Sequence, residues 1–187
     1  MSDLGDAIHD LAGHSAIADA AARFAADYLV YFALVVVAWL FLRQPSPRPV
    51  LAALGAAIIA VGAAGLIGVF YYVPRPFVSE HFIPLVQHAP DASFPSDHLA
   101  ALGALVGSTW LPARCLAVAT LAVAAAVAFA RVYVGVHWLT DVLGGFALGV
   151  VCGGILWRLL AFSDRWASPF DDLRRRLRLR AGRPAHG

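Results

Sequence analysis

Long apolar runs separated by short polar breaks set the rhythm of this chain. Runs 27–43, 50–72, 97–111, 114–134 and 138–161 approach the length of a bilayer crossing, which takes about 20 mostly apolar residues. The pattern predicts five helical spans. Run 97–111 is the shortest and starts with polar residues, which a helix tolerates when its neighbours line a cavity. Residues 44–49 (Gln-Pro-Ser-Pro-Arg-Pro) and 111–114 (Leu-Pro-Ala-Arg) read as breaks between helices. The longest internal connection is 73–95. Before the first span, Leu4, Ile8, Leu11, Ile17 and Phe24 lie among alanines. Segment 4–25 is therefore expected to form a helix with one apolar face, too polar to cross, at the outer interface or packed on the bundle. Its acidic start argues against a cleaved signal peptide.

The expected fold is all-α: a polytopic transmembrane helical bundle of about five spans plus an N-terminal interfacial helix. Residues 1–26 form the interfacial segment, 27–161 the transmembrane domain and 162–187 a basic tail. Composition agrees. Hydrophobic residues make up 60% of the chain and mean hydropathy is +0.73, whereas soluble domains run about 45–50% apolar. Cys115 and Cys152 fall in or beside apolar runs and read as small buried hydrophobes. No Cys/His cluster has zinc spacing, so no metal or other cofactor is expected.

Charge orients the array. All 14 basic residues are arginine. With five spans, Arg43 and Arg48, then Arg114, then the arginines of 158–187 fall on one side, which the positive-inside rule makes cytoplasmic. After a span, that tail reads as a cytoplasmic anchor rather than a nucleic-acid contact. The N-terminus and connection 73–95 then face outward.

Three polar islands fall on that outer face. Arg75 stands between Pro74 and Pro76; Pro95-Ser96-Asp97-His98 opens the third span; Arg131, His137 and Asp141 bracket the last junction. Ionisable groups at the edges of spans are costly and point to function. On a helix, Asp141 would share a face with His137; it could hold the imidazole in one tautomer and leave the other nitrogen free to attack phosphorus, or simply link helices. Ser96 suits a helix N-cap whose first N–H groups could meet an anion, and His98 could protonate a leaving oxygen. Arg75 could grip phosphate oxygens, or snorkel at the interface. Trp39, Trp110, Trp138 and Trp157 suit an aromatic belt, and Trp138 could also wall a site. Connection 73–95 reads either as a solvated linker or as a lid.

Arg75-Pro76, Pro95-Ser96-Asp97-His98, and Arg131 with His137 and Asp141 resemble the three signature motifs of the type 2 phosphatidic acid phosphatase superfamily. Residues 66–77 and 89–98 are similar to the bacterial undecaprenyl-diphosphate phosphatase branch. The resemblance implies metal-independent hydrolysis of undecaprenyl diphosphate. His137 would be the nucleophile, Asp141 its orienting partner, and His98 the acid and then the base. Arg75, Arg131, Ser96 and the Asp97 backbone N–H would bind the phosphoryl oxygens. The implied partners are a polyprenyl diphosphate lipid and the bilayer, with no nucleic acid. Phosphatidate or phosphatidylglycerol phosphate is the alternative substrate, and a non-catalytic lipid-phosphate binder the alternative class. Two positions depart from the family pattern: Gly68 stands where a lysine is common and Ala130 where a serine is. Tyr71, Tyr72, His81 and His88 are the candidate replacement donors.

Overall fold

A computed structural model describes residues 3–44 and 46–162. The expected basic tail lies almost wholly outside the described residues. Within those residues eight α-helices follow one another: α1 (Asp3–His9), α2 (Ala16–Tyr28), α3 (Phe32–Arg43), α4 (Arg48–Phe70), α5 (Pro76–Ser79), α6 (Asp97–Thr109), α7 (Arg114–Tyr133) and α8 (Leu139–Ala161). Among the described residues there is no strand. Four stretches of them are long and apolar enough to cross a membrane: Ala16–Arg43, Arg48–Phe70, Arg114–Tyr133 and Leu139–Ala161.

Two expectations about the spans change. The helix that enters the first span does not begin at residue 27. A 3-10 turn, Leu29–Tyr31, joins α2 to α3, so helical backbone continues from Ala16 to Arg43. Nothing at the junction stops the helix: no glycine or proline lies between residues 16 and 43. The N-terminal segment is also two helices rather than one, parted by a turn in which Gly13 has φ +82°. The third expected span, α6, has 13 residues and measures about 20 Å at 1.5 Å per residue, against a hydrocarbon core of about 30 Å. It is the most enclosed helix, packed against α4, α7 and α8.

The packing is inverted relative to a soluble bundle. Ala52, Ala56, Ala60 and Ala64 recur every fourth residue on α4 and are buried, the last three clustered with Ala100 and Ala104 of α6. Large residues such as Ile58, Val69, Phe129, Leu143, Ile155 and Leu159 face outward. Small residues inside and bulky apolar ones outside are what lipid favours: tails solvate the outer face, and close backbone approach holds the inner one. Buried Leu99, Leu102 and Leu105 complete the core on the α3–α7 side of α6.

The α6–α8 contact carries this furthest. Gly145, Gly149 and Gly153 form a stripe on α8 along α6. A Cβ on Gly149 would land on the carbonyl oxygen of Ala100, which is backbone and cannot swing aside. A Cβ on Gly62 of α4 would meet nothing within 4 Å. Gly149→Ala is therefore expected to destabilise the protein by about 1–3 kcal/mol through overpacking, while Gly62→Ala leaves it unchanged or slightly more stable. Thermal unfolding in detergent checks the pair. Equal melting temperatures for both variants would mean that the helices can separate without cost.

Candidate active site

The three motifs meet at one end of the bundle, where α4 and α7 finish and α6 and α8 begin. The turn between α7 and α8 is the organising piece. At the end of α7 the Arg131 carbonyl accepts the N–H groups of Val136 and His137. Gly135, at φ +81°, lets the chain reverse, and a Cβ there would collide with the rings of Phe82 and His9. Trp138 caps α8, and its indole N–H donates to the Pro74 carbonyl at 2.9 Å. That bond ties the His137 turn to the segment carrying Arg75. The Ser96 N–H donates to the Asp141 carbonyl at 3.0 Å, which ties α6 to the first turn of α8.

His137 is not on a helix with Asp141, contrary to the spacing argument. It lies in the turn before α8, and Asp141 lies in the helix's first turn. They meet because the turn folds back over the helix start. His137 Nδ1 is 3.5 Å from Asp141 Oδ2, the oxygen that also accepts the Trp138 N–H at 2.8 Å. A capping carboxylate thus faces the imidazole.

The other ring nitrogen faces two cations. Arg75 Nη1 lies 3.3 Å and Arg131 Nη2 lies 3.2 Å from His137 Nε2. All four side chains are sealed off: Arg75 is 4% exposed, Arg131 2%, His137 2% and Asp141 1%. Both guanidinium groups are donors only, so Nε2 must present its lone pair and the proton sits on Nδ1. Burial pushes the His137 pKa below the usual imidazole value. The Asp141 hydrogen bond opposes that shift, and the charges of Arg131 and Arg75 reinforce it. The ring is therefore neutral near pH 7, with a free electron pair on the nitrogen that faces the positive charges.

Arg75 is held firmly. Its Nε donates to Asp91 Oδ1 at 2.7 Å, and Nη1 donates to the Val136 carbonyl at 2.8 Å. Ser96 is the N-cap residue of α6 but makes no side-chain cap bond; its Oγ is buried without a partner among the described residues. Asp97 and His98 sit further out. The Asp97 carboxylate accepts the His98 N–H and contacts His98 Nδ1, each at 2.8 Å. With Nδ1 engaged, Nε2 is the nitrogen of His98 left for proton transfer. A cavity of about 480 Å³, lined by Gly68, Arg75, Asp91, Asp97 and His137 among others, opens beside these groups. A second, of about 590 Å³, reaches His137 from the side of α1. Among the described residues no three His, Cys, Asp or Glu side chains converge as a metal-holding group.

The family model for the PAP2 superfamily matches residues 49–165, more than half of the chain. The chain belongs to the PAP2 superfamily. Undecaprenyl-diphosphatase BcrC of Bacillus subtilis (strain 168) is 35% identical to it over 169 residues, 89% of this chain and 86% of that protein. Two solved structures share the fold. LpxE of Aquifex aeolicus superposes with a TM-score of 0.67 at 20% identity, covering 83% of this chain and 93% of that one. The first transmembrane PAP2-type phosphatidylglycerolphosphate phosphatase from Bacillus subtilis gives 0.60 at 24% identity, covering 84% and 83%. The chain is a multi-span membrane phosphatase of this superfamily.

Within this PAP2 phosphatase, the two departures from the motif pattern have local explanations. Gly68 faces the connection after α4, where a Cβ would come 3.0 Å from the Ala92 Cβ. Ala130 is buried with Ala22 and Ala26 of α2, so a hydroxyl there would enter an apolar contact. Of the four candidate replacement donors, His88 touches a motif residue: its Nε2 is 3.1 Å from Arg131 Nη2. Tyr71, Tyr72 and His81 are exposed.

Sequence reasoning missed Ser93. It is fully buried, its hydroxyl donates to Asp141 Oδ2, and the Ser93 Oγ lies 3.4 Å from His137 Nδ1. Asp91 and Ser93 read in sequence as ordinary polar loop residues, and no spacing rule singles them out. Their role exists only because the connection folds back, with the Ser93 N–H donating to the Val73 carbonyl at 2.8 Å.

Proposed function

We propose that this phosphatase hydrolyses undecaprenyl diphosphate to undecaprenyl phosphate and inorganic phosphate through a phosphohistidine on His137. The observation that carries the reading is the convergence of two buried guanidiniums on one imidazole nitrogen. Two like charges held that close call for an anion between them and the nucleophile. A phosphoryl group seated there would have its oxygens on Arg75 and Arg131 and its phosphorus in front of Nε2. The unpartnered Ser96 hydroxyl and the first N–H groups of α6 are the further donors.

In the first step the Nε2 lone pair attacks the terminal phosphorus and the P–O bond to the lipid phosphate breaks. His98 gives its proton to that leaving oxygen. Asp141 stabilises the charge that develops on His137. In the second step His98 takes a proton from water, the oxygen attacks the phosphohistidine, the N–P bond breaks and phosphate leaves. The guanidiniums stabilise both transition states by fixed positive charge.

The lipid is inferred from the BcrC relative, named as an undecaprenyl-diphosphatase. Arginine placement supports a site facing outward from the bacterial plasma membrane: Arg43, Arg48, Arg114 and Arg158 all lie at the helix ends opposite the motifs. On this reading residues 1–26 cover the outer end of the bundle and residues beyond 161 are cytoplasmic.

Purified protein in detergent, offered undecaprenyl diphosphate, phosphatidate and phosphatidylglycerol phosphate separately, provides the test. Phosphate release with kcat/KM at least about tenfold higher on the diphosphate is expected, unchanged by chelator. Faster release from either monophosphate lipid would overturn the substrate. No release from any of the three would favour the non-catalytic binder.

A further inference from the structure

The two site arginines are supported unequally. Arg75 has a carboxylate and a backbone carbonyl at 2.7 and 2.8 Å. Among the described residues no carboxylate or carbonyl comes as close to Arg131. Its Nε is buried without an acceptor among the described residues, and Nη1 reaches the Ala26 carbonyl only at 3.5 Å. Nη2 makes its two closest contacts, both with imidazoles: His137 Nε2 at 3.2 Å and His88 Nε2 at 3.1 Å. A phosphoryl group arriving at His137 would displace the first of these. The second would then be the close side-chain contact fixing the direction of Arg131.

His88 is suited to accept. Its Nδ1 lies 3.2 Å from the Ala89 carbonyl and takes the proton, which leaves Nε2 with a lone pair toward Arg131. Its ring stands edge to face with His137, centroids 6.4 Å apart. Burial lowers its pKa, as do the charges of Arg75 and Arg131, so the acceptor form persists near neutral pH. The same short segment supports the other charged motif groups. Asp91 holds Arg75, and Ser93 bonds Asp141. Residues 88, 91 and 93 thus each reach a different charged side chain of the site.

We propose that His88 is a positioning residue that aims Arg131 at the phosphoryl group, and that segment 88–93 is the frame against which both arginines and Asp141 are set. The proposal rests on the phosphoryl-transfer reading of the site but not on which lipid is cleaved. Connection 73–95 is then part of the site's working geometry rather than a linker between spans. Its acceptor, not merely its bulk, is what position 88 must supply.

Inorganic vanadate, an oxyanion of phosphate-like geometry, tests this without any lipid. Its affinity is read from the tryptophan fluorescence of the full chain in detergent, where Trp138 adjoins His137 in sequence. His88→Ala is expected to weaken vanadate binding roughly tenfold, about one charge-assisted hydrogen bond's worth. His88→Gln, whose amide oxygen can accept from a guanidinium, is expected to stay within about threefold of wild type. His81→Ala, altering an exposed neighbour, is expected to stay within about twofold, as surface changes usually do. Wild-type affinity in His88→Ala would overturn the proposal. So would a His88→Gln variant as weak as His88→Ala, since that would assign the loss to packing. Absence of vanadate binding by the wild type would overturn the phosphate cradle and this role with it. A protein that binds vanadate with the expected ranking yet fails on undecaprenyl diphosphate would overturn the substrate alone.

Discussion

His137→Ala is expected to lower phosphate release by roughly 10⁴-fold or more, because on the proposed mechanism the variant loses the atom that forms the covalent intermediate. The magnitude follows from the site's construction. The ring is almost fully buried, and its Nε2 is the atom on which both guanidiniums converge. Among the described residues no other imidazole shares that position: His88 contacts Arg131 from the side, and the His98 N–H and Nδ1 both engage Asp97. Burial also keeps His137 neutral below the pH at which a free imidazole gains its proton. A depressed pKa means that nucleophilic activity is retained as pH falls through about 6.5, the ordinary imidazole value, and is lost only at lower pH, when Nε2 is protonated. Rapid quench with radiolabelled substrate adds the covalent test. Label should remain on wild-type protein under alkaline quench and be absent from His137→Ala. Turnover of His137→Ala within tenfold of wild type would sink the nucleophile assignment.

The second large effect concerns the arginines. Arg75→Lys and Arg131→Lys each keep a positive charge but lose the fork, and each is expected to cost about 10²–10³-fold in kcat/KM. Arg75 uses Nε on Asp91 and Nη1 on both the Val136 carbonyl and His137, a spread of donors that one ammonium cannot reproduce. Arg131→Lys would also strand His88, whose Nε2 then loses its donor. Steady-state kinetics of the two variants, with melting temperatures to establish folding, check the expectation. Folded lysine variants with near wild-type kcat/KM would show that charge alone is enough and that the geometry around Nε2 is incidental.

Much of this protein can be read along the chain. Apolar runs locate α4, α7 and α8 to within about two residues at each end, because lipid requires every exposed backbone group on a span to be paired within its own helix. That demand is local, so it is written locally. The motif residues are legible for a related reason. Ionisable side chains are expensive at the ends of apolar helices, and they stand out against a background that contains so few. What spacing misjudged was continuity and depth. The helix of the first span runs back to Ala16 through a segment that polar composition disguised. The short α6 is tolerated because α4, α7 and α8 enclose it, a fact about neighbours rather than about its own 13 residues.

By itself, then, the sequence marks the long helices α4, α7 and α8 and the polar islands at their ends, since hydropathy and helix breaks act over one or two turns. Only the tertiary structure decided how the islands meet. It placed His137 in a turn instead of on a helix, set two guanidiniums on a single nitrogen, and brought Ser93, Asp91 and His88 against Asp141, Arg75 and Arg131. Those contacts span up to 62 residues of chain. They are fixed by where the connection after α4 folds back over the starts of α6 and α8, and no local rule specifies that path.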